Sequence, residues 1–147
     1  YLYIKNDQLG VHKDNEKIVK VLAGKFKNAE GPEKSHNVDP IYFHIVLEKD
    51  KEFKCDVPSG HNSFIYLLAG DLSVGENKHD KTSNSNLILL DRGDKLIVKA
   101  NKKSEFLFIA GKPIGEPIAR GGPFVMNTKA EILQAVQDYH NGTFAKY

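Results

Sequence analysis

The sequence predicts an all-β fold, a jelly-roll sandwich with one short C-terminal α-helix. Three observations carry this expectation. Short runs of apolar, β-branched and aromatic residues recur along the chain, about eight to ten of them, each bounded by turn residues. Residues 41–47 alternate cleanly: Ile41, Phe43, Ile45 and Leu47 share one face, and Tyr42, His44 and Val46 share the other. The first set is the better core face. Helical periodicity appears only late, after Thr128. Open and closed β architectures both fit this pattern, and the jelly roll fits best. The 147 residues amount to one ordinary domain, long enough to bury a single core. The expected layout is one domain over 1–147, with the sandwich over 1–127 and the terminal helix over 128–142.

Taken in order, residues 1–4 alternate weakly and read as an edge strand. Residues 6–15 are polar and read as a loop. Residues 17–26 are β-branched and apolar, so a strand is expected there. Residues 27–40 carry Gly31-Pro32 and Asp39-Pro40 and almost no apolar side chains, the composition of a long loop. A charged turn over 48–52 leads to a short strand over 53–57. The stretch 56–76 then organises the chain around it. Pro58, Ser59 and Gly60 form a turn, 64–69 is a strand, Gly70-Asp71 breaks the run, and 72–75 begins another strand. A tight β-hairpin is the economical reading, with polar groups at its mouth. Residues 77–86 read as a polar loop, and 87–90, 95–99 and 105–110 as strands.

Residues 111–123 hold three prolines and four glycines, which excludes helix or central strand. The helix that follows is well signposted. Thr128 and Glu131 fit a capping box, Ile132, Leu133, Val136 and Tyr139 make an apolar stripe, and Asn141-Gly142 supplies a left-handed stop.

Composition excludes several function classes. The net charge of +2 is small and Lys is interspersed with Asp and Glu, unlike the concentrated basic footprint of a nucleic-acid binder. No run approaches the roughly 20 apolar residues of a membrane span. No direct nucleic-acid or membrane partner is therefore expected. The chain starts at Tyr1 with no methionine and no charged-then-apolar leader, and reads as a processed product or a piece of something longer. Cys55 is the only cysteine, which excludes an intrachain disulfide and suits a reducing home. The expected location is cytoplasmic, or nuclear in a eukaryote. Asn141-Gly142-Thr143 matches a glycosylation sequon, read as chance without a secretory signal.

The segment Gly122-Pro123-Phe124-Val125-Met126-Asn127-Thr128, followed by Glu131-Ile132 and Asp138-Tyr139-His140-Asn141-Gly142, resembles the closing signature of the pirin family. Phe108-Ile109-Ala110-Gly111-Lys112-Pro113-Ile114 with Glu116-Pro117 is similar to the segment the family places before it. Ser63-Phe64-Ile65-Tyr66 with Gly70-Asp71 resembles a hairpin of the same domain. The resemblance covers nearly the whole chain and is weakest over 10–39. It implies a cupin-type double-stranded β-helix, and specifically the C-terminal cupin of a two-cupin protein. In that family the N-terminal cupin carries an iron-type site of three histidines and a glutamate, associated with quercetin 2,3-dioxygenase activity. Animal members are described as nuclear transcriptional co-regulators.

The resemblance also says where a cupin would hold a metal. Anchored on Tyr66-Leu67-Leu68-Ala69-Gly70, the histidine slots fall at Asp56 and Pro58, the glutamate slot at Asn62, and the last histidine slot at Lys103 or Ser104. A non-haem iron site wants imidazole and carboxylate donors with open positions left over. Proline offers no side-chain ligand and lysine is protonated, so these degenerate slots are expected to be metal-free and the chain to carry no cofactor. Iron is expected only in an N-terminal cupin.

Of the other candidates, His61 is the best polar contact at the mouth, together with Asn62 and Asp56. A lone histidine is more often a hydrogen-bonded structural residue. His12, His36 and His79 lie in polar stretches and are expected to be solvated. His44 sits outward beside Tyr42, and His140 near a helix C-terminus, where a cation is mildly favoured. Cys55 is expected to be a small buried hydrophobe. Ser59 and Ser63 lack a nucleophile's context, and Gly115, Gly121 and Gly122 make no phosphate loop. Three readings follow: a non-catalytic half of a two-cupin protein, a small-molecule cupin with a non-standard site, and an interaction module. The expected partner is an N-terminal cupin or a second copy of the chain, with other proteins as further candidates.

Overall fold

Alternation of apolar and outward residues builds two sheets facing each other across one core. The computed structural model describes residues 3–32, 37–75, 80–83 and 86–145, with 80–83 as backbone. Strands β1 (Gly10–Lys13) and β2 (Lys17–Ala23) come first, followed by the short β3 (Lys25–Phe26) and β4 (Ala29–Glu30). The body of the sandwich is β5 (Ile41–Leu47), β6 (Glu52–Asp56), β7 (Asn62–Ala69), β8 (Asp71–Val74), β9 (Asp80–Ser83), β10 (Leu87–Leu90), β11 (Lys95–Ala100) and β12 (Ser104–Gly111). One sheet has six strands in the order β1-β2-β5-β12-β7-β10, and the other has four, β6-β11-β8-β9. From β5 to β12 the chain passes back and forth between the sheets, and only β8 and β9 follow each other within one. This winding is the jelly roll the sequence predicts, a cupin-type fold.

Phe43, Ile45, Leu47, Ile65, Leu67, Phe106 and Phe108 from the larger sheet meet Phe53, Leu72 and Val98 from the smaller one, all of them fully buried. Aromatic rings fill the middle. Phe26 stacks on Phe53 at 5.2 Å and meets Phe43 edge-on at 5.8 Å, and Phe53 meets Phe106 edge-on at 6.1 Å. The expected face of β5 is the inner one: Phe43, Ile45 and Leu47 are buried and Ile41 is half-buried.

Several local expectations change. Residues 3 and 4 form no strand, and residues 1 and 2 lie outside the described residues. The polar stretch 6–15 is not a loop: after a 3-10 turn over Asn6–Gln8, β1 pairs antiparallel with β2. The strand expected over 17–26 breaks at Gly24, whose φ of +80° turns the chain into the β3–β4 ribbon. The stretch 77–86 contains β9, paired with β8. The expected hairpin is absent, because β7 and β8 do not pair with each other. At Gly70, with φ +106°, the chain leaves the six-stranded sheet and enters the four-stranded one.

The chain divides into two compact units, Tyr1–Pro113 and Ile114–Tyr147. The second unit is a ribbon of β13 (Ala119–Gly121) and β14 (Phe124–Met126) with α1 (Lys129–His140). A Cβ on Gly121 would sit 2.5 Å from Ile132 Cγ2, so glycine there lets the ribbon approach the helix. The capping box is present. The amide of Glu131 donates to Thr128 Oγ1 at 3.2 Å, and Glu131 Oε2 accepts from the Thr128 amide at 2.7 Å. The Thr128 hydroxyl also donates to Glu131 Oε2 at 2.8 Å, and this bond, followed by that of the Thr128 amide, holds the Glu131 carboxyl below its ordinary range. The stop comes at Gly142, φ +71°. The predicted stripe is only partly internal: Ala135 is the buried residue of α1, and Leu133 and Tyr139 are exposed. Among the described residues no helix is long and apolar enough to cross a membrane.

Candidate functional site

The mouth of the sandwich is the end where β5 and β7 begin and β6 and β12 finish. Asp56 closes β6 opposite Lys95, and Asn62 opens β7 opposite Gly111. Between them the Val57 amide donates to the Asp94 carbonyl at 2.8 Å, and the His61 amide donates to the Pro58 carbonyl at 3.1 Å. These bonds fix the turn read from Pro58-Ser59-Gly60. A cleft of about 640 Å³ opens here, bordered by Lys25, Glu30, Gly31, Asp39, Asp56 and Pro58 among others.

Two of the four slots, Asp56 and Pro58, border this cleft. Asn62 is exposed and does not border it. Ser104 is elsewhere. It begins β12 opposite Leu47, whereas Asn62 faces Gly111 at the other end of the same strand. At roughly 3.3 Å per residue the two ends stand about 23 Å apart. Ligand positions of one ion converge, so the last slot expected at Ser104 is not a ligand position of this fold. Among the described residues no three His, Cys, Asp or Glu side chains gather where they could hold a metal. The residues at these positions do not fit the family's iron.

Ser104 has a different task. Its hydroxyl donates to the Lys102 carbonyl at 2.7 Å and accepts from the Asp71 amide at 3.0 Å. Asn101 Nδ2 donates to Asp71 Oδ1 at 2.6 Å and to Ser73 Oγ at 3.0 Å. This polar cluster clamps the crossing at Gly70, where a Cβ would lie 2.2 Å from Ser104 Oγ.

His61 is buried, as a structural histidine should be. Its Nε2–H donates to the Asp39 carbonyl at 3.1 Å and ties the 37–40 segment to the mouth. Its Nδ1 has no partner among the described residues. It does not border the cleft, so of the three expected polar contacts, Asp56, His61 and Asn62, only Asp56 does. Glu30 and Asp39 were missed because they lie in a stretch that the sequence shows only as polar, and Lys25 because it reads as part of an apolar strand. The signal that could have found them is the punctuation by Gly24, Gly31-Pro32 and Asp39-Pro40.

The remaining candidates resolve as follows. His12 is not a solvated loop residue: it lies on β1, half-buried, edge-on to Phe26 at 5.4 Å. His36 and His79 lie outside the described residues. His44 Nε2 meets Glu105 Oε1 at 2.6 Å across β5 and β12 on the outward face. Cys55 packs half-buried against the core, and burial, with the neighbouring Asp56 charge, pushes its thiol up to about 12. It is a poor nucleophile.

The model of the pirin C-terminal cupin domain matches residues 42–145. This chain belongs to the pirin family. Among relatives, a Pseudomonas aeruginosa protein provisionally named a quercetin 2,3-dioxygenase is 34% identical over 129 residues, 87% of this chain and 44% of that protein. A pirin-like protein of Caulobacter vibrioides is 32% identical over 146 residues, 98% of this chain and 52% of its own length. Human pirin is 38% identical over 104 residues, 69% of this chain and 36% of its own length. The chain therefore spans about half the length, or less, of these relatives. A solved structure titled quercetin 2,3-dioxygenase, from Acinetobacter baumannii, superposes with a TM-score of 0.83 at 29% identity, over 97% of this chain and 50% of that one.

Proposed function

We propose that this chain is the non-catalytic half of a pirin-like protein built from two cupins. One observation carries the reading: the expected donor positions at the mouth hold Asp56, Pro58 and Asn62, and among the described residues no three His, Cys, Asp or Glu side chains gather to hold a metal. The packed aromatic interior supports it, since Phe43, Phe53, Phe106 and Phe108 take the space where a barrel site would lie. Relatives of about twice the length support it as well. Oxygenase chemistry of the quercetin 2,3-dioxygenase type, where the complete protein has it, belongs to the other cupin. This half builds and covers that cupin. A role in transcription would run through protein contacts.

The mouth cleft favours a second reading, a small-molecule site bordered by Lys25, Glu30, Asp39 and Asp56. Metal analysis of the complete gene product, expressed with added iron, separates the two. The first reading expects no more than one iron per polypeptide, unchanged by Asp56→Ala or His61→Ala. A second iron lost in either variant would sink it. Saturable quercetin binding abolished by Asp56→Ala would establish the second reading instead.

A further inference from the structure

The two ends of the sandwich treat their charges differently. At the end away from the mouth, charged side chains pair: Asp14 and Glu16 meet Lys17, Glu16 also meets Lys51, and Glu48 meets Lys103. At the mouth they do not. Lys25, Glu30, Asp39 and Asp56 border the cleft, and their side chains have no ion-pair or hydrogen-bond partner among the described residues. Lys25 faces Glu30 across the β3–β4 ribbon and Lys95 faces Asp56 across the β6–β11 ladder, yet neither couple closes into an ion pair.

Three carboxylates against one ammonium give the cleft a negative lining. A concave surface of one sign concentrates counter-charge. Between the carboxylates the lining is apolar, from Ile41, Val57 and Pro58, the mixture that suits a small ligand. The walls are preformed. The Gly31 amide donates to the Gly24 carbonyl at 2.9 Å and closes the ribbon that carries Lys25 and Glu30. Asp39 holds φ +41°, a conformation that only glycine adopts freely. It is pinned from both sides, because the Lys112 amide donates to the Val38 carbonyl at 2.7 Å and His61 Nε2 donates to the Asp39 carbonyl. The carboxylates do not converge as the ligands of one metal ion would. Their charge is spread along the cleft and fits a cation that is itself extended. A flavonol brings no positive charge to meet them.

We propose that the mouth cleft binds a small organic cation, with ammonium groups carried on an apolar stem. The inference rests on the small-molecule reading of the cleft given above and leaves this half of the protein without chemistry of its own. The carboxylates of Glu30, Asp39 and Asp56 meet the charged ends, Ile41, Val57 and Pro58 cover the stem, and Lys25 opposes binding.

Titration calorimetry of the complete gene product with 1,5-diaminopentane, at low salt and pH 7, tests this. Saturable binding is expected, about twofold weaker in Asp39→Asn and in Asp56→Asn and about tenfold weaker when the two are combined. Both positions are exposed, so the variants fold as the parent does. Lys25→Met should tighten binding, about 0.5 M salt should weaken it, and 1,5-pentanediol, of the same length without charge, should not bind. Diamine binding unchanged in the double variant places the ligand elsewhere and overturns the site. Quercetin bound in the cleft in place of the diamine overturns the cation and leaves the small-molecule reading intact. Calcium that displaces the diamine at one ion per chain assigns the cleft to a metal and overturns the organic ligand. No binding of either the diamine or quercetin sinks this inference and the small-molecule reading together.

Discussion

The two outer faces of the sandwich share one core and differ in everything else. Behind Phe53 and Val98 the small sheet shows Glu52, Lys54, Lys95 and Lys99, and its strands alternate as a solvated sheet should. Behind Phe106 and Phe108 the large sheet shows Leu107 and Ile109, and the alternation is lost. The lesson is that burial inside the sandwich does not account for all of the chain's apolar residues. The surplus sits on one outer face.

The largest expected effect tests the joint between the sheets. Gly70→Val puts a branched side chain on a residue with φ +106°, within 2.6 Å of the Ser104 backbone. It should cost more than about 4 kcal/mol, and a urea melt within 1 kcal/mol of the parent would refute the crossing described for Gly70. Next in size are the shared core residues. Phe53→Ala and Phe106→Ala should each cost about 3–5 kcal/mol, whichever face lies behind them. A large inequality in thermal or urea unfolding would mean that the sheets do not share one core.

The faces themselves are compared by Leu89→Asp and Lys54→Asp in the complete gene product. If the other half of the protein covers this face, Leu89→Asp should cost about 2 kcal/mol, and Lys54→Asp only about 0.5 kcal/mol. Equal small costs in chemical denaturation would show two free faces.

The smallest effect lies at the exposed rim. Asp14 accepts the Glu16 amide and the Lys17 amide, each at 2.8 Å, and the Glu16 bond leads in holding its carboxyl at about 2, below the ordinary 3.8. A depressed folded value means that its stabilisation is present above pH ~4 and fades as pH falls from there to ~2. Asp14→Asn should flatten stability over that window, by little, because the group is solvated. An acid limb as steep in the variant as in the parent would exclude the assignment.

Much of this was legible in the residues. Alternation in 41–47 names its own core face because the strand period is two. The Thr128–Glu131 cap could be read directly, since a capping box is local chemistry. Other elements were not legible. His12 and β1 looked like loop because an edge strand beside solvent needs few apolar residues. The hairpin at Gly70 failed because a glycine turn looks the same whether the next strand pairs with the last or crosses to another sheet. Lys25, Glu30 and Asp39 reach the cleft only through folding of distant segments.

The sequence by itself determined the all-β class, the capped helix and the family, because local patterns and side-chain chemistry suffice for these. Only the tertiary structure decided that Ser104 clamps a crossing far from the mouth, that His61 holds the Asp39 carbonyl, and that the apolar surplus collects on one outer face. Those depend on strand register and sheet order, which bring together residues far apart in the chain and which no local pattern contains.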